Sequence, residues 1–165
     1  MSTSVFVYDA GMLIALERQD SAARLLHRLQ TEGGHPPVVP LPVLAQAWRP
    51  GRWTPLSRVI PECVIFGVRA VPAPPCGVCI AGHTEDDARR AGRLLATAAV
   101  PEQKRPDAVD ALAVVVAARH PAAIVVTSDP YDLTAYRDEL ADGTNVQVLA
   151  VPDIAGLLAG KRVLR

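Results

Sequence analysis

Carboxylates follow two of the strand-like segments in this sequence. Asp9 comes directly after the apolar run VFVY at 5–8, and Asp129 ends the segment AIVVTS at 123–128, with Asp132 three residues further on. Because the carboxyl ends of parallel strands lie at one edge of an open α/β sheet, we expect these side chains to share that edge. The chemistry available there is that of grouped carboxylates.

Two more acids stand at the start of the apolar segment from 108 to 118. Asp107 and Asp110 are three residues apart, so they share one face of a helix, and Asp110 alone is charged within a segment that is otherwise apolar. The sequence leaves open which edge of the sheet this helix starts from. Clustered carboxylates repel one another and raise one another's pKa unless a cation is present, and their hard oxygen atoms suit Mg²⁺ or Mn²⁺.

Each of these acids is also consistent with an ordinary helix cap. Asp9 stands where it would N-cap a helix from Gly11, Asp107 where it would cap the next apolar helix, and Asp129 precedes Pro130 as an N-cap precedes proline at N1. Their joint placement favours a shared site. Acids at two strand ends and on one buried helix repel one another when they are brought together, so a functional role explains the grouping better than three separate caps do.

Strand-like runs alternate with helix-like segments, which predicts a single α/β domain from residue 1 to 165 with a largely parallel sheet. Thr84 and Asp87 predict a capping box. The predicted strands are 5–8, 37–40, 64–68, 123–128 and 146–151. The predicted helices are roughly 11–18, 20–32, 41–49, 53–60, 84–99, 107–119, 130–141 and 152–159.

Composition and charge limit the kinds of function. The 165-residue chain has a net charge of zero, so any binding of nucleic acid must depend on a local arrangement of charge. No apolar run approaches the ~20 residues of a membrane span, so no membrane partner is expected. The first residues lack a basic segment and a cleavage site, which predicts a cytoplasmic protein.

The cysteines form one C-x-x-C pair, Cys76 and Cys79, with Cys63 before it and His83 after it. No second pair completes a tetrahedral zinc site, and the pair does not lie between a strand and a helix start as redox motifs do. We interpret it as two small residues in a proline-rich connection.

Four segments, VYDAGMLIALER, VPLPVLAQAWR, DAVDALAVVVAA and VVTSDPYDL, resemble in order and spacing those of PIN-domain proteins, above all the VapC-like toxins of toxin–antitoxin pairs. The resemblance extends from Val5 to about Ile154. It implies a three-layer α/β fold with a parallel sheet of about five strands flanked by helices. It also implies a Mg²⁺- or Mn²⁺-dependent endoribonuclease that cleaves single-stranded or loop RNA.

Carried over by position, the resemblance implies that Asp9, Asp110 and Asp129 bind the metal and carry catalysis, with Asp107 and Asp132 as neighbours. Thr127 or Ser128 matches the hydroxyl that the family places beside its last acid.

One position departs from the family pattern. Where the family usually has a second acid, a glutamate, this chain has Gln46, which brings no negative charge. Glu17, two turns along the helix after Asp9, is a candidate to compensate, although a solvated pair with Arg18 at the end of the helix is the favoured interpretation. A non-catalytic PIN-like protein that retains metal or RNA binding is therefore an alternative.

The expected contacts with RNA come from arginines and tryptophans. Arg49 and Arg52 are suited to phosphate, with Arg18 a lesser candidate, and Trp48 or Trp53 is suited to stacking on an unpaired base.

The resemblance further implies a homodimer and an antitoxin peptide as partners. For these we predict an exposed apolar stripe on the first two helices, comprising Leu13, Leu16, Leu25 and Leu29. The remaining alternative is a phosphotransfer domain with Asp9 as phosphoacceptor. Gly11 and the scarcity of lysine count against it, since the chain has only Lys104 and Lys161.

Overall fold

The computed structural model describes residues 4–48, 55–67, 77–101 and 104–165 and has an α/β fold. Its five strands are all parallel, in the order β3-β2-β1-β4-β5. The strands are β1 (Val5–Tyr8), β2 (Val38–Val39), β3 (Val64–Ile65), β4 (Ala123–Thr127) and β5 (Val146–Ala150). The predicted α/β fold with a parallel sheet of about five strands is confirmed.

Nine α-helices lie within the described ranges, and eight of them correspond to predicted helices. They are α1 (Ala10–Glu17), α2 (Ser21–Glu32), α3 (Leu41–Ala47), α4 (Leu56–Val59), α5 (Gly77–Ala81), α6 (Glu85–Thr97), α7 (Ala108–Ala118), α8 (Pro130–Asp138) and α9 (Ile154–Leu158). The sequence did not predict α5, because its glycine and the prolines before it indicate a loop. Thr84 and Asp87 form the predicted capping box of α6.

Helices cover both faces of the sheet. Phe6 and Tyr8 of β1 pack with residues of α1, α2 and α3, whereas Val7 packs with α6, α7 and α8. The strands are therefore buried on both sides, which explains why the residues of β4 before Thr127 are all apolar and why β1 is rich in valine and aromatic residues. No helix of the described residues is long and apolar enough to cross a membrane.

The strand order reverses direction between β1 and β4. The chain builds one side of the sheet from β1 outward to β3, then returns to place β4 on the other side of β1. Tyr8 pairs with Val126, and the Asp9 N–H donates to the Val126 carbonyl at 3.1 Å. The residues after both strands therefore meet at the point where ligands bind in open α/β folds.

Gly11, in the first turn of α1, allows this helix to approach the end of β4 closely. A β-carbon at Gly11 would lie 2.3 Å from the backbone nitrogen of Ser128 and 2.7 Å from its β-carbon. Such distances are far inside van der Waals contact, so only glycine fits without movement of the backbone. This contact sets the separation between Asp9 and the segment after β4.

We expect Gly11→Ala to lower the free energy of unfolding by on the order of 1–3 kcal/mol, because the new methyl group must displace backbone atoms at Ser128. Gly92→Ala is the matched control. Gly92 lies inside α6 with open space around it, so alanine there should stabilise the protein by roughly 0.5–1 kcal/mol. Urea unfolding of both variants measures the difference. Equal effects at the two positions would contradict the close packing.

Candidate active site

Asp9 is a buried carboxylate that does not act as a helix cap. Its side chain is 3% exposed and, although it occupies the N-cap position of α1, it makes no capping hydrogen bond. The Thr127 hydroxyl donates to Asp9 Oδ2 at 2.8 Å. Oδ1 is buried and has no hydrogen-bond partner among the described residues. Burial raises the pKa of Asp9, and the hydrogen bond from Thr127, together with the nearby backbone N–H groups of Ala10 and Gly11, offsets this only in part.

Thr127 joins the ends of β1 and β4. It is fully buried, and its hydroxyl oxygen both donates to Asp9 and accepts from the Asp129 N–H at 2.9 Å. Of the two hydroxyls proposed from the sequence, Thr127 therefore contacts the acids, while Ser128 packs against Gly11. The bond from Thr127 fixes the position of Asp9 relative to Asp129.

Asp107 caps α7 and contacts Gln46. One of its carboxylate oxygens accepts from the Val109 N–H at 2.7 Å, and the other accepts from the Gln46 amide at 3.0 Å. Its own N–H donates to the Tyr136 hydroxyl at 3.1 Å. The cap interpretation thus holds for Asp107, and Gln46 lies beside the acids.

Asp110 shows that the acids lie within electrostatic reach of one another. Burial, followed by the negative charge of Asp9, raises its pKa to about 8. Smaller contributions come from Asp107, Asp129 and Asp132. The helix α7 therefore starts at the carboxyl edge of the sheet, which the sequence left open. Asp110 therefore holds its proton more tightly than an exposed aspartate does.

A lysine contacts the remaining two acids. The Lys104 ammonium donates to Asp129 and, at 3.1 Å, to Asp132. Asp132 is 7% exposed, and its Oδ1 has no partner in the described part of the chain. These two hydrogen bonds raise the pKa of Lys104. Sequence reasoning missed this contact, and the available signal was a rare lysine just before the DAVDA segment.

The donor atoms fit a hard divalent cation, since carboxylate oxygens surround the site and two buried ones lack partners. Across residues 4–48, 55–67, 77–101 and 104–165, however, no three histidine, cysteine or acidic side chains are already placed to hold a metal ion. Asp129 and Asp132 instead share Lys104. Metal binding would thus require these side chains to rearrange.

Glu17 and Arg18 lie away from this site. Glu17 accepts from the Leu56 N–H at 3.0 Å and so caps α4, which contradicts both a compensating role and a solvated pair with Arg18. Arg18 is exposed at the opposite end of α1, about 13–14 Å from Asp9 by helical rise. Arg49 and Arg52 fall outside the described residues.

Two other predictions concern single residues. Trp48 follows the last residue of α3 and is 44% exposed, two residues after Gln46, whereas Trp53 lies outside the described ranges.

Cys79 is buried within α5, so its interpretation as part of a loop is wrong. Its sulfur lies 4.0 Å from His120 Nε2.

Comparison of the chain with protein families, with curated proteins and with solved structures finds no match. The assignment of the site therefore depends on its geometry and chemistry.

We expect the metal-free protein to lose stability as pH rises from about 4 to about 8. The folded-state pKa of Asp110 lies above its unfolded value, so the fold retains a proton that the unfolded chain releases. That contribution is present at low pH and is lost as pH rises through about 8. Asp110→Asn should flatten this part of the profile, measured by urea unfolding at several pH values.

Asp86→Asn is the control, because Asp86 is exposed in the first turn of α6. It should keep the pH dependence of the wild type. A profile for Asp110→Asn as steep as that of the wild type would show that Asp110 does not carry the effect.

Proposed function

We propose that this protein is a Mg²⁺- or Mn²⁺-dependent endoribonuclease. The observation that carries the proposal is the placement of Asp9 and Asp129 after neighbouring strands, joined through Thr127, with Asp110 within electrostatic reach of both. One buried oxygen of Asp9 lacks a partner among the described residues, and the pKa of Asp110 is raised. Such an arrangement is costly to the fold in the absence of a cation. Perturbed carboxylates grouped at a ligand-binding edge are typical of functional sites.

In this proposal Asp9, Asp110 and Asp129 hold the metal ion. A bound divalent ion would lower the pKa of a coordinated water molecule and neutralise charge on the scissile phosphate. Thr127 positions Asp9 and the backbone of Asp129, and Asp107 with Gln46 holds the first turn of α7 in place. To bind the ion, Asp110 would release its proton, because the charged carboxylate is the ligand form.

RNA is the substrate class that the surrounding residues favour. Trp48 is exposed beyond Gln46 and offers an aromatic face for an unpaired base. Arg49 and Arg52 follow it directly in the chain and supply phosphate contacts, with Arg18 further away. An overall charge of zero fits a protein that binds RNA locally at one edge.

A non-catalytic metal- or RNA-binding protein is the second candidate. The specific observation in its favour is Gln46, whose amide donates to Asp107 where a glutamate would add a negative charge. Phosphotransfer through Asp9 is less favoured, because a carboxylate that is only 3% exposed is poorly accessible to a phosphodonor.

A role as the toxin of a cytoplasmic toxin–antitoxin pair, with a homodimer and an antitoxin peptide, extends the proposal. The apolar stripe predicted for these partners needs correction, because Leu13 and Leu16 are core residues. The large apolar residues exposed on α1 and α2 are Ile14, Leu25 and Leu29. Leu25 also lines a groove of about 810 Å³ between α2 and the segment 55–62. Sedimentation velocity should give a dimer at high concentration, and a strict monomer would remove the dimer from the proposal.

The proposed function is tested by Asp9→Asn. Asparagine retains an oxygen that can accept from Thr127 and removes one charge from the acid cluster, so we expect the melting temperature without metal to stay the same or rise. Cleavage of single-stranded RNA with Mn²⁺ should be lost, as measured on gels with a panel of RNAs. A role as metal ligand predicts an unchanged or higher melting temperature together with the loss of cleavage.

Asp20→Asn is the matched control. Asp20 is a true N-cap, with a hydrogen bond from the Ala23 N–H at 2.9 Å, and asparagine caps about as well as aspartate. It should keep wild-type cleavage. Cleavage that survives in Asp9→Asn overturns the catalytic assignment, and a wild type that cuts no RNA favours the non-catalytic candidate.

A further inference from the structure

Lys104 places a positive charge inside the acid cluster. Its ammonium contacts Asp129 and Asp132, and the side chain is 43% exposed, so it reaches the cluster from the solvent side. Lys104 belongs to the connection between α6 and α7 and stands three residues before Asp107. Residues 104–110 therefore supply both this cation and two of the acids, Asp107 and Asp110.

The acids of the cluster differ in the groups that compensate their charge. Asp9 accepts from Thr127 and Asp107 accepts from Gln46 and Val109, whereas Asp129 and Asp132 share the one ammonium. Two oxygens, Asp9 Oδ1 and Asp132 Oδ1, are buried without a partner in the described part of the chain. Both residues are more than nine-tenths buried. Because these two oxygens have no partner, Lys104 does not compensate the whole acid cluster.

An ammonium and a divalent cation compete for such a place. A lysine carries a single, strongly hydrated charge on a flexible stem, and it can leave a partly exposed position without disturbing the fold. A divalent ion brings twice the charge and takes several oxygen ligands. Two cations at one pair of carboxylates repel each other, so occupancy by one disfavours the other.

We propose that Lys104 is a tethered counterion that occupies the Asp129–Asp132 side of the cluster and is displaced when a divalent cation binds. This inference rests on the proposed function, because it concerns the same metal site. It makes Lys104 a regulator of metal affinity: the metal-free protein is stabilised by its own lysine, and the ion must overcome that contact. Metal affinity is therefore lower than the number of grouped acids suggests.

Titration calorimetry with Mn²⁺ on Lys104→Met and the wild type tests the competition. The variant should bind Mn²⁺ about tenfold more tightly, because a competing charge is removed from a partly screened site. Its melting temperature without metal should fall, since Asp129 and Asp132 then lack their shared cation. Lys104→Gln is a second variant with a polar side chain and should behave in the same way.

Lys161→Met is the matched control, because Lys161 is the other lysine of the chain and is exposed near the end of α9. It should leave both measurements unchanged. The presence of two lysines also allows a direct observation by NMR. In protein labelled with ¹³C-lysine, Mg²⁺ should shift the ε-carbon signal of Lys104 and leave that of Lys161 in place, and Lys104→Met assigns the signals.

The outcomes separate the inference from the proposed function. A structural anchor would lower the melting temperature of Lys104→Met without tightening Mn²⁺ binding, and that result overturns the inference alone. An unmoved Lys104 signal in Mg²⁺-bound protein overturns it as well. If neither the wild type nor the variants bind Mn²⁺, both the metal-dependent function and the inference are overturned.

Discussion

The parallel pairing of β1 with β4 is the interaction on which the candidate site depends. It sets Tyr8 opposite Val126 and so brings Asp9 beside Thr127, whose hydroxyl then reaches both Asp9 and Asp129. A slip of one residue would turn the hydroxyl of Thr127 to the other face of the sheet. The two strands are distant in sequence, so the apolar layers on both faces must stabilise this register against the entropy of closing the chain.

The layer on one side of β1 restrains the strand just before Asp9. The Tyr8 hydroxyl lies 3.4 Å from His27 Nδ1, and His27 Nε2 lies 2.9 Å from Glu62. Burial lowers the pKa of His27, Glu62 offsets this in part, and the two ring nitrogens link strand, helix and turn. This chain of contacts and the close approach at Gly11 both fix the backbone on which Asp9 depends.

Bringing the acids together destabilises the metal-free fold, and the fold offsets this in three ways. Asp110 favours its protonated form, Thr127 and Gln46 donate hydrogen bonds, and Lys104 supplies a positive charge. Each of these also bears on the proposed metal binding, because a proton on Asp110 and the ammonium are what a divalent ion would replace. In the proposed site, stability without metal and affinity for metal are therefore opposed.

Local pattern was sufficient for much of the fold. The alternation of apolar strands and helices predicted the five strands and eight of the helices, and a strand end followed by an acid identified Asp9 and Asp129. These features depend on residues close together in the sequence, where burial and capping follow directly from residue type. The helix α1 was an exception, since it is apolar nearly all round and gives no sign that Leu13 and Leu16 face inward.

Tertiary structure alone decided the direction of α7, and with it the position of Asp110. It also decided that Lys104 reaches Asp129 across 25 residues and that Glu17 caps a helix 39 residues away. Such contacts depend on how whole helices pack over the sheet, and neither periodicity nor capping rules contain that information. The sequence determined which residues could form a site. Packing determined that Lys104 is the cation in contact with Asp129 and Asp132 in the absence of metal.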